Sequence, residues 1–366
     1  MVIQVNVLIY IYMYICVCLL IFNLFYVAKE RFGRKRDPKK EKRFMDSLTE
    51  ALQMNGTAAV SKNEEKVWLR KLNRCSNLII FQQAVDDMTE NGEGERVEEW
   101  IRNNKNLFFK LCTAYMKRGS MEKAFMAYIV EQHRLCGPGD KDPFAFQMKG
   151  LMMERSIYCR QNALYALYAG GQAIHVVKAY SILSRLRIEH SAKMVTDGLL
   201  YFKGNRKLLA EELWNHWSEF TDYYKICFVN FFRMISGNFT ERLMTILENE
   251  ENDRELRFAA IRYFRRYKYD EAGEYMCRLV DEWRESDWEY AALAALALET
   301  YPGGKSVAAL KSGYGSRSWY IRYNCVQTLE KMISREEKEE LIQSANDRYT
   351  KEMMEYQFAG KGEAVG

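Results

Sequence analysis

The chain has few residues that would interrupt a helix and little of the pattern that forms strands. Only four prolines occur among 366 residues. Alternation of apolar and polar side chains, the mark of a half-buried strand, is rare. Leu, Ala, Met, Lys, Glu and Arg, which favour helices, are abundant instead. The composition therefore argues against a sheet-rich fold and predicts an all-α protein.

Cysteine pairs and catalytic motifs are also lacking. The nine cysteines include no CxxC pair, and their odd number favours a reducing compartment. The four histidines lie apart from the cysteines in sequence, so no zinc site is expected. The sequence has no GxGxxG, GxxxxGK[ST], GxSxG or HExxH. We therefore predict no catalytic residues, no metal and no cofactor, and a protein that is not an enzyme.

A long apolar run opens the chain. Residues 2–28 carry no charged side chain, and about 20 apolar residues suffice to cross a bilayer as a helix. No basic residue precedes the run, and Tyr26 stands three positions before Lys29, where a cleavage site would have a small residue. We predict an uncleaved transmembrane helix over residues 1–28. A cleaved signal peptide and a buried core helix are the alternatives.

A basic cluster follows the apolar run. Residues 29–43 hold nine Lys/Arg and three Asp/Glu, a net charge of +6, whereas the whole chain has +5. The positive-inside rule then predicts a single-pass protein with its N-terminus outside and its body in the cytoplasm. The residues assigned to topology or lipid headgroup contact are Lys29, Arg31, Arg34, Lys35, Arg36, Lys39 and Lys40. The remaining net charge of −1 does not favour a nucleic-acid-binding body.

One pattern recurs along the body: a basic residue, a small or apolar residue three positions on, and a large apolar residue four beyond that. The first two positions are occupied by Arg160 and Ala163, Lys193 and Thr196, Lys225 and Phe228, Arg257 and Ala260, Ala291 and Ala294, and Arg322 and Cys325. Ala291 lacks the basic group, and Thr196 and Phe228 depart from the preference for a small residue. Successive instances lie 33, 32, 32, 34 and 31 residues apart. Such a period predicts an α-solenoid of stacked antiparallel helix pairs.

Two of these stretches resemble the HEAT-repeat family, in its short, phycobilisome-lyase-like form. They are Asp253–Ile261 and Ser318–Val326, which match an Asp/Ser-x-x-(Val/Leu/Ile)-Arg-x-x-Ala pattern. The resemblance covers residues 155–333 and implies an armadillo-type fold with an extended binding surface. Lyase activity is not implied, because the resemblance lies in the repeat and not in a site. Tetratricopeptide repeats have a similar period, but their Trp and Pro positions are missing.

The pattern divides the chain into segments. They are a transmembrane anchor (1–28), a basic juxtamembrane linker (29–61), an N-terminal helical region of degenerate repeats or a cap (62–136), a loop and repeat entry (137–154), HEAT-like repeats (155–333), a C-terminal capping helix (334–359) and a disordered tail (360–366). In the region 62–136, helices are predicted at Glu64–Glu90, Arg96–Tyr115 and Met121–Arg134. Second helices of the repeats are predicted at Glu271–Trp283 and Ser306–Lys311.

Two groups of side chains are candidates for binding. Basic and aromatic residues interleave after residue 261, and the cations form a candidate anionic-partner patch of Arg262, Arg265, Arg266 and Lys268. An ordinary solvated helix face is the alternative for that patch. Tryptophan is frequent in the repeats, and an exposed tryptophan would be a hot-spot candidate for a protein partner. The tryptophans are at positions 214, 217, 283, 288 and 319.

These observations favour a scaffold or regulatory protein, tethered at the cytoplasmic membrane face, that binds another protein. A partner at the membrane, such as an enzyme that makes or exports an envelope polysaccharide, is the context that the anchor suggests. No small-molecule substrate is indicated. One alternative is a helical-repeat enzyme or nucleic-acid-binding protein of the HEAT-like DNA glycosylase type. The other is an extracellular solenoid that serves as a binding module.

Overall fold

The computed structural model describes residues 10–23, 38–283, 288–345 and 348–358. All regular structure within these ranges is helical, with three short 3-10 turns beside the α-helices. The predicted all-α class is therefore confirmed for the described residues. By contact density the chain forms two compact units, which divide between Ile129 and Val130.

The predicted transmembrane helix is wrong. Residues 10–23 are helical, and we label this segment α1. Among the described residues, no helix is long and apolar enough to cross a membrane. The prediction of a single-pass membrane protein with a cytoplasmic body is overturned with it. The rest of the predicted anchor, residues 1–9 and 24–28, lies outside the described ranges.

Residues 29–37 of the basic cluster also lie outside the described ranges. Lys39 and Lys40 lie in the first turn of a helix and are exposed. That helix, α2 (Pro38–Asn55), lies inside the segment assigned to the linker. Pro38 opens it at the first helical position, where a missing N–H costs nothing. Its apolar stripe, Phe44, Leu48 and Leu52, is buried, and the surrounding lysines had obscured this helical spacing in the sequence.

The first unit continues with helices that pack around an aromatic core. They are α3 (Lys62–Leu72), α4 (Cys75–Glu90), α5 (Gly94–Asn103), α6 (Lys105–Tyr115) and α7 (Ser120–Gln132), the last of which runs into the second unit. The ring centres of Trp68 and Trp100 lie 5.3 Å apart, and those of Trp100 and Phe108 lie 6.5 Å apart. Helix α2 packs against α4 and α5, and α3 packs against α6.

Two helices predicted as continuous in this unit are each divided. Glu64–Glu90 becomes α3 and α4, and Arg96–Tyr115 becomes α5 and α6. Asparagine stands at both breaks: the Asn104 side chain donates to the Trp100 carbonyl oxygen at 2.9 Å and accepts from the Val60 N–H at 2.8 Å. Asparagine ends helices by offering its side chain to the backbone, which a search for Gly and Pro overlooks.

The second unit is a succession of helices joined by short loops. They are α8 (Pro143–Gly150), α9 (Ile157–Gly170), α10 (Ala173–Arg185), α11 (Ala192–Tyr201), α12 (Arg206–Asn215), α13 (Asp222–Ile235), α14 (Thr240–Glu248), α15 (Arg254–Phe264), α16 (Asp270–Asp281), α17 (Trp288–Ala297), α18 (Gly304–Gly313), α19 (Trp319–Met332), α20 (Arg335–Ser344) and α21 (Arg348–Phe358). The predicted second helices correspond to α16 and α18, with bounds shifted by one to two residues.

Helices in this unit pack on their second neighbours along the chain. Every odd-numbered helix from α9 to α21 contacts the next odd-numbered helix. Among the even-numbered helices, α8 contacts α10, α10 contacts α12, and α16 contacts α18. Chain neighbours such as α14 and α15, or α18 and α19, also contact each other. This two-layer packing is compatible with the predicted α-solenoid.

The C-terminal segment contains the predicted capping box. Ser334 accepts from the Glu337 N–H, and the Glu337 carboxylate accepts from the Ser334 N–H at 2.9 Å. The single predicted helix over residues 334–359 is observed as α20 and α21. Residues 346–347 and the predicted tail, 360–366, lie outside the described residues.

Candidate functional site

The repeated basic position lies at the start of the odd-numbered helices. Arg160, Lys225, Arg257 and Arg322 are each the fourth residue of α9, α13, α15 and α19, and Lys193 is the second residue of α11. The small residues at the second position of the pattern, Ala163, Ala260 and Ala294, are fully buried where odd-numbered helices pack together. The recurring pattern therefore marks equivalent places in successive helices.

Two of these arginines are buried and bind backbone oxygens. Arg257 Nε donates to the Leu247 carbonyl oxygen at 2.9 Å, and Arg257 Nη2 donates to the Tyr275 hydroxyl at 3.0 Å. Arg160 Nη1 donates to the carbonyl oxygens of Glu154 and Arg155 at 2.6 and 2.9 Å. Both side chains thus satisfy carbonyl groups at the helix end or in the loop that precedes their own helix. Their role is structural.

The other basic repeat positions are less buried. Arg322 Nη1 donates to the Ser316 carbonyl oxygen at 3.0 Å, Lys225 pairs with Asp222 at 2.9 Å, and Lys193 is exposed. In fewer than half of the repeats, therefore, is this side chain buried and hydrogen-bonded to backbone carbonyl oxygens. The sequence pattern correctly located the position but carried no information about what the side chain binds.

The candidate anionic-partner patch lies at the C-terminal end of α15. Three of its four cations have a carboxylate within 4 Å: Arg262 Nη2 lies 3.9 Å from Glu255, Arg265 Nη2 lies 3.2 Å from Glu299, and Lys268 Nζ lies 3.2 Å from Asp270. The fourth, Arg266, is exposed, and its guanidinium lies 5.8 Å from the Tyr267 ring centre. These ion pairs agree with a solvated face for much of the patch.

Sequence reasoning missed a fifth cation beside this patch. Arg233 lies in the last turn of α13, which packs against α15. Burial lowers the pKa of Arg233, and the charges of Arg262, Arg266 and Arg265 lower it further. No hydrogen bond or ion pair joins Arg233 to any described residue. Arg233 follows Lys225 by eight positions, as Arg265 follows Arg257, so the repeat itself held the signal.

An aromatic row crosses the first turns of α17 and α19. It consists of Trp288, Trp319, Tyr320 and Tyr323. Trp288 stacks on Tyr320 with ring centres 5.0 Å apart, Trp319 stacks on Tyr323 at 4.9 Å, and Trp319 meets Tyr320 edge-on at 5.3 Å. Trp319 is 51% exposed and Tyr320 is 56% exposed, while the other two are partly exposed.

The row is outside the core because small and aliphatic side chains fill the contact between these helices. The buried face of α17 presents Ala291, Ala294 and Ala295, and that of α19 presents Ile321 and Cys325. The aromatic rings therefore lie on the faces that remain. Of the tryptophans in the repeats, Trp214 and Trp217 stack on each other at 4.5 Å and are half-buried, as is Trp283.

A second surface with apolar character lies between α8 and α10. It is an open groove of about 370 Å³. Phe146 and Met153 are exposed there, and Lys149, Lys178 and Arg185 form a cationic rim. The groove combines apolar area with positive charge, which distinguishes it from the uncharged aromatic row.

Burial favours the neutral form of one histidine and two thiols. Burial, followed by the charge of Arg160, lowers the pKa of His190 to about 4. Burial raises the pKa of the Cys112 thiol to about 12, and it also raises the pKa of Cys325. Such thiols are poor nucleophiles. Among the described residues, no three His, Cys, Asp or Glu side chains are grouped to hold a metal ion.

Comparison with known proteins gives no match: no protein-family model matches the chain, and no curated protein matches its sequence. The HEAT-repeat resemblance therefore stays a prediction from the residues.

Proposed function

We propose that this chain is a HEAT-like helical-repeat protein that binds another protein and acts as a scaffold or regulatory subunit. One observation carries the proposal: the aromatic row exposes two large side chains, Trp319 and Tyr320, at the start of α19, beside Trp288 of the neighbouring helix α17. The membrane tether does not form part of this proposal, nor does a membrane-associated partner, because both depended on the anchor.

The composition of the row favours a protein partner. Trp and Tyr dominate binding energy at protein interfaces, since they bury a large area at little cost in conformational entropy. Stacking fixes the rings before binding: Trp319 is held against Tyr323, and Tyr320 against Trp288. A rigid aromatic surface loses less freedom on association than flexible side chains would. Repeats that stack side by side also offer a continuous surface to a partner.

The nucleic-acid alternative has less support. Three of the four predicted patch cations already have carboxylate neighbours, and the chain outside residues 29–43 has a net charge of −1. A nucleic-acid surface usually carries an excess of unpaired positive charge.

The test uses the full chain as bait in quantitative crosslinking from native extracts. Three baits are compared: the wild type, Trp319→Ala/Tyr320→Ala, and Tyr349→Ala/Tyr356→Ala. The last pair is a matched control, because Tyr349 and Tyr356 are 76% and 74% exposed on α21. We expect one protein to be enriched with the wild type and the control and lost with the first double variant. Equal recovery with all three baits would remove the support for the aromatic row.

A further inference from the structure

Four arginines converge where α13 and α15 end. Arg233 belongs to the last turn of α13, Arg262 belongs to the last turn of α15, and Arg265 and Arg266 follow directly. We refer to these four residues as the arginine cluster. It shares three members with the predicted patch but adds Arg233 and omits Lys268, which pairs with Asp270.

Hydrogen bonds and close packing join the loop after α13 to the end of α15 beneath the cluster. The Tyr263 hydroxyl donates to the Ser236 carbonyl oxygen at 2.9 Å and accepts from the Phe239 N–H at 3.1 Å. A Cβ atom on Gly237 would lie 2.8 Å from Tyr267 Cδ1, so the loop after α13 presses on the end of α15. These contacts hold the end of α13 beside the end of α15, so the arginines that the two ends carry lie near one another.

The charges around the cluster do not balance. Glu255 lies 3.9 Å from Arg262, and Glu299 lies 3.2 Å from Arg265. Glu299 is shared with Lys331, at 2.7 Å. Helix C-termini favour a nearby cation by a modest amount, which would suffice for one arginine at each helix end. It does not account for four guanidinium groups, among which Arg233 is partly buried and has no partner in the described chain.

We infer that the arginine cluster is a binding site for a phosphate group, with Arg233 and Arg266 as its principal ligands. Guanidinium groups bind phosphate oxygens through paired, charge-assisted hydrogen bonds. Arg233 and Arg266 are the two members without a carboxylate neighbour, so their donors are available. A bound dianion relieves the repulsion among the four positive charges. The site goes beyond the proposed protein-binding function and lies on different residues.

The test measures the thermal unfolding midpoint of the full chain in inorganic phosphate and in chloride at the same ionic strength. At a phosphate concentration about tenfold above Kd, we expect the wild-type midpoint to rise by about 3 °C. O-phosphoserine in a second titration distinguishes the source. Saturation at a lower concentration than inorganic phosphate indicates a phosphorylated side chain, and the reverse order indicates free phosphate.

Substitution of Arg233 separates a binding role from a structural one. Arg233→Gln removes one repelling charge, so the variant should unfold at a higher temperature than the wild type in chloride and lose the gain from phosphate. A purely structural arginine would do the opposite: its loss would lower the midpoint in chloride and leave the phosphate gain intact. That result would overturn the inference.

Two further variants complete the experiment. Arg266→Gln changes an exposed side chain, so it tests the site even if Arg233→Gln does not fold, and it should also reduce the phosphate gain. Arg278→Gln is the matched control, because Arg278 is an exposed arginine in the last turn of α16, outside the cluster. It should retain the full gain. An equal gain in Arg266→Gln and Arg278→Gln contradicts the site.

Discussion

At the scale of single residues, the buried polar groups of the second unit serve to join one segment of the chain to another. Arg257 reaches back to the end of α14, and Arg160 reaches the loop before α9. His190 accepts from Arg160 Nε at 3.1 Å. Each bond satisfies a group that burial has removed from water, and loss of one partner leaves the other unsatisfied.

Replacement of Arg257 by alanine should therefore destabilise the protein strongly. The change leaves the Leu247 carbonyl oxygen without its donor and removes a buried charged partner from two tyrosine hydroxyls. We expect the free energy of unfolding to fall by about 3 kcal/mol, as for other hydrogen bonds to charged groups. Lys193→Ala, at the equivalent but exposed position, should change it by less than about 0.5 kcal/mol. Urea unfolding of both variants measures the difference, and equal losses would contradict the structural role.

His190 should make stability depend on pH. The folded pKa of about 4 lies below the ordinary value of 6.5, so the unfolded chain binds more protons between these values. The free energy of unfolding should therefore be highest above pH 6.5, where the imidazole is neutral in both states, and it should fall as the pH drops toward 4. Between pH 7 and pH 5 the His190 contribution is about 2 kcal/mol.

Urea unfolding at pH 7 and pH 5 checks this dependence. His190→Asn should lose less stability between the two pH values than the wild type, because the titrating imidazole is gone. His216→Asn, at a partly exposed position, is the control and should behave as the wild type does. Identical pH dependence in all three proteins would show that His190 is not the group responsible.

These residue roles show how far the sequence alone could be interpreted. The spacing of Arg160, Arg257 and Arg322 identified equivalent positions, because the repeat period is a local property of the chain. The partners were not predictable, since the Leu247 carbonyl and Tyr290 are brought to Arg257 only by folding. The spacing of eight residues from Lys225 could have drawn attention to Arg233, but its neighbours Arg262 and Arg266 belong to a later segment of the chain and approach it only on folding.

At the scale of helices, close contact between odd-numbered helices depends on small residues. Gly198 of α11 lies against the ring of Tyr168 on α9, and a Cβ atom there would be 2.6 Å from Tyr168 Cε2. The Tyr168 hydroxyl also forms a hydrogen bond with the Tyr180 hydroxyl, at 2.5 Å. The ring therefore has little freedom to yield.

Gly198→Ala should consequently destabilise the protein by about 1 to 3 kcal/mol, the usual cost of overpacking a core. Gly150, the last residue of α8, offers a matched comparison, because a Cβ atom there meets nothing within 4 Å. Gly150→Ala should be neutral or stabilise the protein by up to about 1 kcal/mol. Urea unfolding distinguishes the two, and a neutral Gly198→Ala would contradict the close contact of α9 and α11.

Helix positions were predicted better than helix ends. The capping box at Ser334 was evident because its two residues are local in sequence. The division of α3 from α4 and of α5 from α6 was not evident, because neither proline nor glycine stands at these breaks. Asn73 follows α3, and Asn104 follows α5 and donates its side-chain N–H to the Trp100 carbonyl oxygen. Helix α2 was overlooked because its lysines dominated the apparent character of the segment.

At the scale of the whole molecule, the apolar run led to a wrong prediction of a transmembrane helix. The repeat period, in contrast, was a useful guide to the packing of the helices. Composition along residues 2–28 favoured a membrane span, but no described helix is long and apolar enough to cross a bilayer. The 32-residue period instead constrained which helices contact each other, and α9 to α21 follow it.

The proposed function rests on the aromatic row, which sequence reasoning only partly foresaw. Trp288 and Trp319 are two of the five tryptophans that the sequence offers as candidates, but which of the five are exposed was not predictable. It depends on the alanines of α17 filling the contact with α19. Tyr320 and Tyr323 complete the row and carried no signal of their own.

The most direct test of the account is the affinity for the partner recovered by crosslinking, measured by calorimetric titration against the full chain. Truncation of a hot-spot aromatic residue typically costs at least 2 kcal/mol. We therefore predict that Trp319→Ala/Tyr320→Ala raises Kd by about 30-fold or more. Tyr349→Ala/Tyr356→Ala should leave Kd within about twofold. An unchanged Kd for the first double variant would contradict the claim that the aromatic row binds the partner.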